Sequence, residues 1–382
     1  QLDSVHPSAH VFVGLLKACT KLKDLQLGLQ IHIEVARRGF FASNIFVGSA
    51  VVALYSKCGS LAIAKEVFYC LPVQHVVAWT SLVTGYVEHG DCEEALMCLQ
   101  QMKLEGVFPN TVTYICSLKA CSSMRDIVKG RKIHVEIISQ GLSINDVVVG
   151  NALIDMYAKC GYIGFAKTVF DMLPAQDAIS WTSLISGHAE NGDTQEALRY
   201  FEKMQSDGVI PDAHTFVCML KLCGTIGATM KGQEIHDKIE RQGLLRRNLI
   251  LGSVLVDMYV KFGLLIKAQE VFDGLPVQNV AAWNALIAGY TEHEELSGVT
   301  LCFFRRMQLE GLLPTTFTFA HIFKACGSIG MITKGIELHM EFIEAELCGV
   351  LEEEEVCVAR NGLVDMYVKC GILVKAQHVF DE

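Results

Sequence analysis

The stretch VVAWTSLVTGYVEHGDCEEALMCLQQMKLEGVFPN, from Val76 to Asn110, decides the fold. Val76, Trp79, Val83 and Tyr86 recur at helical spacing and share one face. Gly90 interrupts that helix. Asp91 is placed to cap a second one, with Glu94 in the capping-box position. Ala95, Leu99 and Met102 form the apolar stripe of the second helix, Gly106 suits its C-terminal end, and Pro109 stops continuation. The stretch reads as a helix–turn–helix hairpin, and the copy from Ala178 to Asp212 repeats each signal.

The copy is one of many. Trp79, Trp181 and Trp283 stand 102 residues apart, as do Tyr55, Tyr157 and Tyr259, and His32, His134 and His236, with His339 a further 103 on. The 102-residue unit divides into pieces of 35, 36 and 31 residues, each a helix pair. In order they are 9–44, 45–75, 76–110, 111–146, 147–177, 178–212, 213–248, 249–279, 280–315, 316–356 and a partial piece 357–382. The piece 280–315 carries one extra residue and 316–356 carries five, around the acidic run Glu352 to Glu355. One hairpin cannot bury its own apolar face, but stacked neighbours can. The expectation is an all-α solenoid with a concave surface lined by the first helix of each pair, a single array across residues 1–382.

Of the 382 residues 51% are apolar and 19% charged, below the roughly 25% charge of an average soluble protein. No apolar run reaches the roughly 18 residues of a membrane span, and LILGSVLV (Leu249–Val256) is stopped by Asp257. The 15 cysteines include Cys19, Cys121, Cys223 and Cys326 in the repeat register, which marks small buried hydrophobes in a reducing compartment rather than a disulfide framework. A net charge of −10 argues against non-specific nucleic-acid binding but not against a local basic stripe. With no initiator Met or targeting segment, and an end inside the pattern at HVFDE, the expectation is a segment of a longer protein.

The motifs VVAWTSLVTGYVEHG and AISWTSLISGHAENG, LKAC with KGRKIH, and NALIDMYAKCG resemble the P, L and S motifs of the plant pentatricopeptide repeat family, in its alternating subclass. The resemblance covers nearly the whole chain. It implies single-stranded RNA as partner, read at about one base per motif by the fifth and last residues of each. An ionised Asp only accepts, which suits the ring N–H of G or U; Asn, Ser and Thr donate, which suits A or C. A short Ser or Thr in the fifth slot leaves room for a purine, and Asn fits a pyrimidine. Carried over, Thr80 with Asn110 implies A, Asn151 with Asp177 implies U, Thr182 with Asp212 implies G, and Ser253 with Asn279 implies A. Asn284 with Thr315 implies a pyrimidine, Ser49 with His75 a purine, and Asn361 a pyrimidine. The L motifs put Val13, Ile115, Val217 and Ala320 in the fifth slot, where no base edge can be read. The family's polarity then gives 5′-R-A-x-U-G-x-A-Y-x-Y-3′. Val77, Val148, Ile179 and Ile250 occupy the second slot, which the family packs against bases; ordinary core packing is the alternative.

The resemblance further implies C-to-U editing of mitochondrial or chloroplast transcripts, with editing-complex proteins as partners and a deaminase domain in cis beyond Glu382 or in trans. A protein-binding helical scaffold is the competing function. A scaffold gives no evident reason for polar residues at the fifth and last slots.

No catalytic residue, metal site or cofactor is expected in this chain. His32, His134 and His339 each begin H-x-E, half of a zinc deaminase signature, but the P-C-x-x-C half is absent. Gly224–Gly227 and Gly327–Gly330 resemble a GXXG clamp but read as turns between helices. The three tryptophans read as interhelical packing rather than base-stacking groups. Lys57, Lys159, Lys261 and Lys369 recur near a helix end, where they can contact phosphates or balance the helix dipole.

Overall fold

The computed structural model describes residues 7–141, 146–349, 351 and 356–381. Every regular element among the described residues is helical. The chain divides into two units, Gln1–Ile210 and Pro211–Glu382.

In the first unit the helices are α1 (Ala9–Leu22), α2 (Leu25–Arg37), the short α3 (Phe40–Ser43), α4 (Ile45–Lys57), α5 (Leu61–Tyr69), α6 (Val76–Glu88) and α7 (Cys92–Leu104). They continue as α8 (Thr111–Met124), α9 (Ile127–Ser139), α10 (Val147–Lys159), α11 (Ile163–Met172), α12 (Ala178–Glu190) and α13 (Thr194–Ser206). The first helices of the pairs, α1, α4, α6, α8, α10 and α12, each pack on the next, and second helices such as α2, α5, α7 and α9 pack on their own first helix. This is solenoid stacking: each pair is buried by its neighbours rather than by a central core.

The second unit follows the same plan. Its first helices are α14 (Ala213–Ile226), α16 (Leu249–Lys261), α18 (Val280–Thr291), α20 (Thr316–Ile329) and α22 (Val356–Lys369), packed each on the next. Its second helices are α15 (Thr229–Arg241), α17 (Leu265–Asp273), α19 (Ser297–Leu309), α21 (Ile332–Leu347) and α23 (Leu373–Asp381).

Two recurring contacts explain why the pattern is so regular. Trp79, Trp181 and Trp283 are fully buried, each edge-on to a Phe from the preceding pair: Phe68 at 4.4 Å, Phe170 at 4.8 Å and Phe272 at 4.5 Å between ring centroids. Removing such a ring costs about 3–5 kcal/mol. A β-carbon on Gly130 would come within 2.4 Å of the Met156 sulfur, on Gly232 within 2.7 Å of Met258, and on Gly335 within 2.3 Å of Met366. Glycine there lets the second helix of one pair approach the methionine of the next.

Several details depart from the sequence expectation. Asp91 makes no side-chain cap, and Glu94 instead accepts from Lys65 Nζ at 3.2 Å. The extra residue of 280–315 is absorbed by a shortened α18 and a 3₁₀ turn at Glu294–Leu296. Part of the longer 316–356 goes into α21, which has 16 residues against 13 in α9 and α15. The run Glu352–Glu355 lies outside the described residues, and α22 starts at Val356, one residue before the expected Cys357. Gly224 and Gly327 sit inside α14 and α20, so only Gly227 and Gly330, with φ of 69° and 68°, form turns.

Candidate nucleic-acid interface

The last residue of each piece from 9–44 to 280–315 is also the N-cap of the next first helix. Asp177 Oδ1 accepts from the Ser180 backbone N–H at 2.8 Å, Asn110 Oδ1 from Thr113 at 2.9 Å, and Asn279 Oδ1 from Ala282 at 2.8 Å. Asp212 caps α14 through Thr215 at 2.8 Å, and Thr315 caps α20 in a capping box with Thr318. His75 caps α6 less closely, its Nδ1 accepting from Val77 at 3.4 Å. Asp, Asn and Thr are the side chains that satisfy the free N–H groups of a helix start, at about 1 kcal/mol each. Capping therefore supplies a reason for polar residues at this slot whatever the array binds, a reason the sequence comparison of RNA reader and scaffold lacked.

From the fifth slot, Asn151, Asn284 and Thr80 reach these caps. Asn151 Nδ2 donates to both Asp177 oxygens, at 3.1 and 3.2 Å, and Asn151 Oδ1 is buried without a partner. Asn284 Nδ2 donates to Thr315 Oγ1 at 3.0 Å, and Asn284 Oδ1 accepts from Thr318 at 2.6 Å. The insertion in 280–315 thus leaves Thr315 beside Asn284. Thr80 reaches Asn110 through Thr113, by contacts of 2.7 and 3.0 Å. Ser253 Oγ and Asn279 Nδ2 share the Leu249 carbonyl, at 3.4 and 3.3 Å. Ser49 bonds to the Ile45 carbonyl at 2.8 Å, within its own helix. Thr182 is buried on α12 in the first unit and Asp212 begins α14 in the second. Asn361 is exposed on α22.

The second-slot residues lie outside the core. Val148 is 60% exposed and Ile250 63%, and Val77 and Ile179 are exposed too, joined by Phe46, Val112 and Phe317 at the same helix position. Ordinary core packing is not their role. Consecutive members frame cavities. One of about 340 Å³ lies between Val77 and Val112, with Thr80 and Asn110 on its wall. Another of about 350 Å³ lies between Ala281 and Phe317, beside Asn284 and Ser253. A third, about 560 Å³, lies between Phe46 and Val77 beside Ser49. Each is an apolar cleft with a polar pair or hydroxyl within it, which suits a flat heteroaromatic ring.

The other recurring polar residues are occupied elsewhere. Lys159, Lys261 and Lys369 are each paired with an Asp four residues earlier, at 2.9, 2.7 and 2.8 Å, and Lys57 pairs with Glu88. The histidines of the H-x-E strings, and His236 at the same repeat position, bond tyrosine hydroxyls: His32 to Tyr55 at 3.0 Å, His134 to Tyr157 at 2.8 Å, His236 to Tyr259 at 2.8 Å and His339 to Tyr367 at 2.9 Å. Burial holds the His32, His134 and His236 imidazoles below their ordinary pKa, and so neutral. This pairing was legible in sequence, because each His precedes its Tyr by a constant 23 residues in the first three copies. Burial pushes the Cys98 and Cys121 thiols up to about 12 and Cys223 and Cys326 up to about 11, which makes them packing groups.

Comparison with known proteins agrees with this architecture. A profile of the PPR repeat family matches residues 74–123 and 176–225, and one of the PPR repeat matches 151–176 and 253–280. A mitochondrial pentatricopeptide repeat-containing protein of Arabidopsis thaliana is 33% identical over 97% of this chain and 52% of its own length. A chloroplastic one from the same plant is 33% identical over 85% of this chain and 52% of its own. The chain thus spans about half the length of these relatives. Among solved structures, the pentatricopeptide repeat protein PPR10 in complex with an 18-nt psaJ RNA element superposes with a TM-score of 0.60 at 15% identity, over 94% of this chain and 57% of that one, a likeness of fold. The repeat period, the helix-pair stacking and these matches together place the chain in the pentatricopeptide repeat family.

Proposed function

We propose that this chain binds single-stranded RNA in a sequence-specific manner, about one base per P- or S-type motif, as the site-recognition part of an organelle RNA editing factor. The observation that carries the binding mode is the recurrence of apolar clefts between consecutive second-slot side chains, each with fifth-slot chemistry inside. A scaffold for protein partners accounts for the caps but not for clefts of base size repeated at the motif spacing.

The atoms left over by capping fit the base assignments. At 147–177 the group offered is an acceptor, the Asp177 carboxylate that Asn151 holds in place, which suits the ring N–H of uracil. At 76–110 the cap uses Asn110 Oδ1 and leaves its amide N–H₂ to donate to the ring acceptor of adenine. At 280–315 Asn284, Thr315 and Thr318 bond one another, so a pyrimidine there has to displace one of these bonds. The editing role and the organelle rest on the resemblance and on relatives described as mitochondrial or chloroplastic. The deaminase, in cis or in trans, is a partner outside these residues.

Selection from a random single-stranded RNA pool tests the reading. Enrichment of A-x-U-G-x-A in that polarity is the expected result. Tighter binding to duplex than to single-stranded RNA, or no enriched core, overturns it.

A further inference from the structure

The cavity between α1, α4 and α6 differs from the other clefts in charge. Lys17, Lys21, Lys23 and Lys57 line it, and no Asp or Glu does. Lys17, Lys21 and Lys23 are exposed, and no ion pair to any of them is found among the described residues. In sequence, Lys17 recurs as Lys119, Lys221 and Lys324, but its neighbours do not recur. The counterparts of Lys21 are Ser123, Thr225 and Ser328, and those of Lys23 are Arg125, Gly227 and Gly330. The Asp that neutralises the helix-end lysine in the later S-type motifs, Asp155, Asp257 and Asp365, is replaced here by Ala53. Lys57 therefore has no acid on its own helix turn and finds Glu88 across on α6 instead.

We propose that this groove is the electrostatic anchor of the array, the place where it grips the phosphodiester backbone of bound RNA. The inference rests on the RNA reading above and adds where the phosphate contacts are concentrated. The motif 9–44, whose Val13 cannot read a base edge, thereby has a function: it contributes charge rather than sequence. Phe46 and Val77 flank the same groove, so a base seated between them brings its phosphates to the lysines. The recurring helix-end lysines, Lys57 included, are already neutralised, so the grip comes from Lys17, Lys21 and Lys23, and the other clefts have no comparable set.

Salt dependence separates this anchor from a diffuse attraction. The probe is a labelled single-stranded RNA carrying the A-x-U-G-x-A core, titrated with the full chain at several salt concentrations, with a random-sequence RNA of the same length alongside. The variants are Lys17→Gln/Lys21→Gln/Lys23→Gln and a charge-matched control on second helices, Lys132→Gln/Lys167→Gln/Lys375→Gln. Each neutralised phosphate contributes about 0.7 to the slope of log K against log salt, so the groove variant should flatten it by about 2. The control should keep the wild-type slope. Preference for the core over the random RNA should persist in both variants, since the polar pairs that read the core belong to the motifs from 76–110 onward. Equal flattening by the two variants, or none by the groove variant while RNA still binds, overturns the anchor and leaves RNA binding intact. Failure of the wild-type chain to bind either RNA overturns the RNA reading, and the anchor with it.

Discussion

The cleft among α1, α4 and α6 and the cleft beside α16, α18 and α20 are built from the same helix positions and carry opposite charge. The first is lined by four lysines and no acid; the second contains Asp257 and no lysine. Yet Trp79, next to the first, and Trp283, next to the second, are equally buried against the same kind of Phe. Buried positions repeat because each pair has to fit its neighbour. Groove positions are free of that requirement, so charge and base-facing chemistry vary there from motif to motif.

The largest effect should be the one the two regions share. Trp79→Ala and Trp283→Ala should each cost about 3–5 kcal/mol in urea unfolding. A cost under 1 kcal/mol at either would break the claim of a common core. Removing a cap is smaller: Asp177→Ala and Asn279→Ala should each lose about 1 kcal/mol, while Asp177→Asn should lose little, since Asn also caps. Asp91→Ala should stay within about 0.5 kcal/mol, because Asp91 caps nothing through its side chain.

Acid should act on both regions, unequally. His32, His134 and His236 have folded pKa values lowered from 6.5. Below the unfolded value the unfolded chain binds more protons, so stability is full above about pH 6.5 and falls as the pH drops toward the folded values. At His236 the neighbouring Glu240, 3.3 Å away, partly offsets burial. His134→Gln and His236→Gln should each remove part of the acid sensitivity, and Glu240→Gln should increase it, read as urea midpoints between about pH 7.5 and 5.5. No change with Glu240→Gln would mean that Glu240 does not matter.

The smallest effect sharpens the charge contrast itself. Ala53→Asp adds to the groove the acid that the counterparts of Lys57 have on their own helix turn, beside the Glu88 it already pairs with, and should flatten the salt slope of RNA binding by up to about 0.7. Asp257→Ala frees Lys261 and should steepen it by up to the same amount. No change in either slope would indicate that helix-end lysines do not touch phosphate.

Most of the fold was legible because its signal is repeated. A single Trp79 is ambiguous between core and surface, but three copies at a fixed step, with glycine and proline stops between them, define a helix pair. The absence of a side-chain cap at Asp91 was not legible, since the sequence pattern of a capping box does not reveal that Lys65, from the preceding pair, holds Glu94. For the candidate site, residue types and register were readable, as with Asn151 and Asp177. Their double use was not: that the last residue also caps the following helix depends on where that helix begins. The exposure of Val77, Val148, Ile179 and Ile250 was also hidden, because an apolar residue on a helix that is apolar all round carries no periodic signal for its side.

The central claim is that one motif's polar pair chooses one base, and Asp177→Asn tests it most directly. Oδ1 of the new amide can keep the bonds from Ser180 and Asn151, so α12 stays capped, while the other atom gives up its bond from Asn151 and changes from acceptor to donor. Binding of wild type and variant is compared on two single-stranded RNAs that differ only in having U or C at this motif's base. Wild type should prefer U, and the variant should prefer C, with a swing of roughly 1–3 kcal/mol, the scale of one wrong base contact. If the variant weakens both RNAs equally, or leaves the preference for U unchanged, Asp177 is a helix cap and not a reader of RNA.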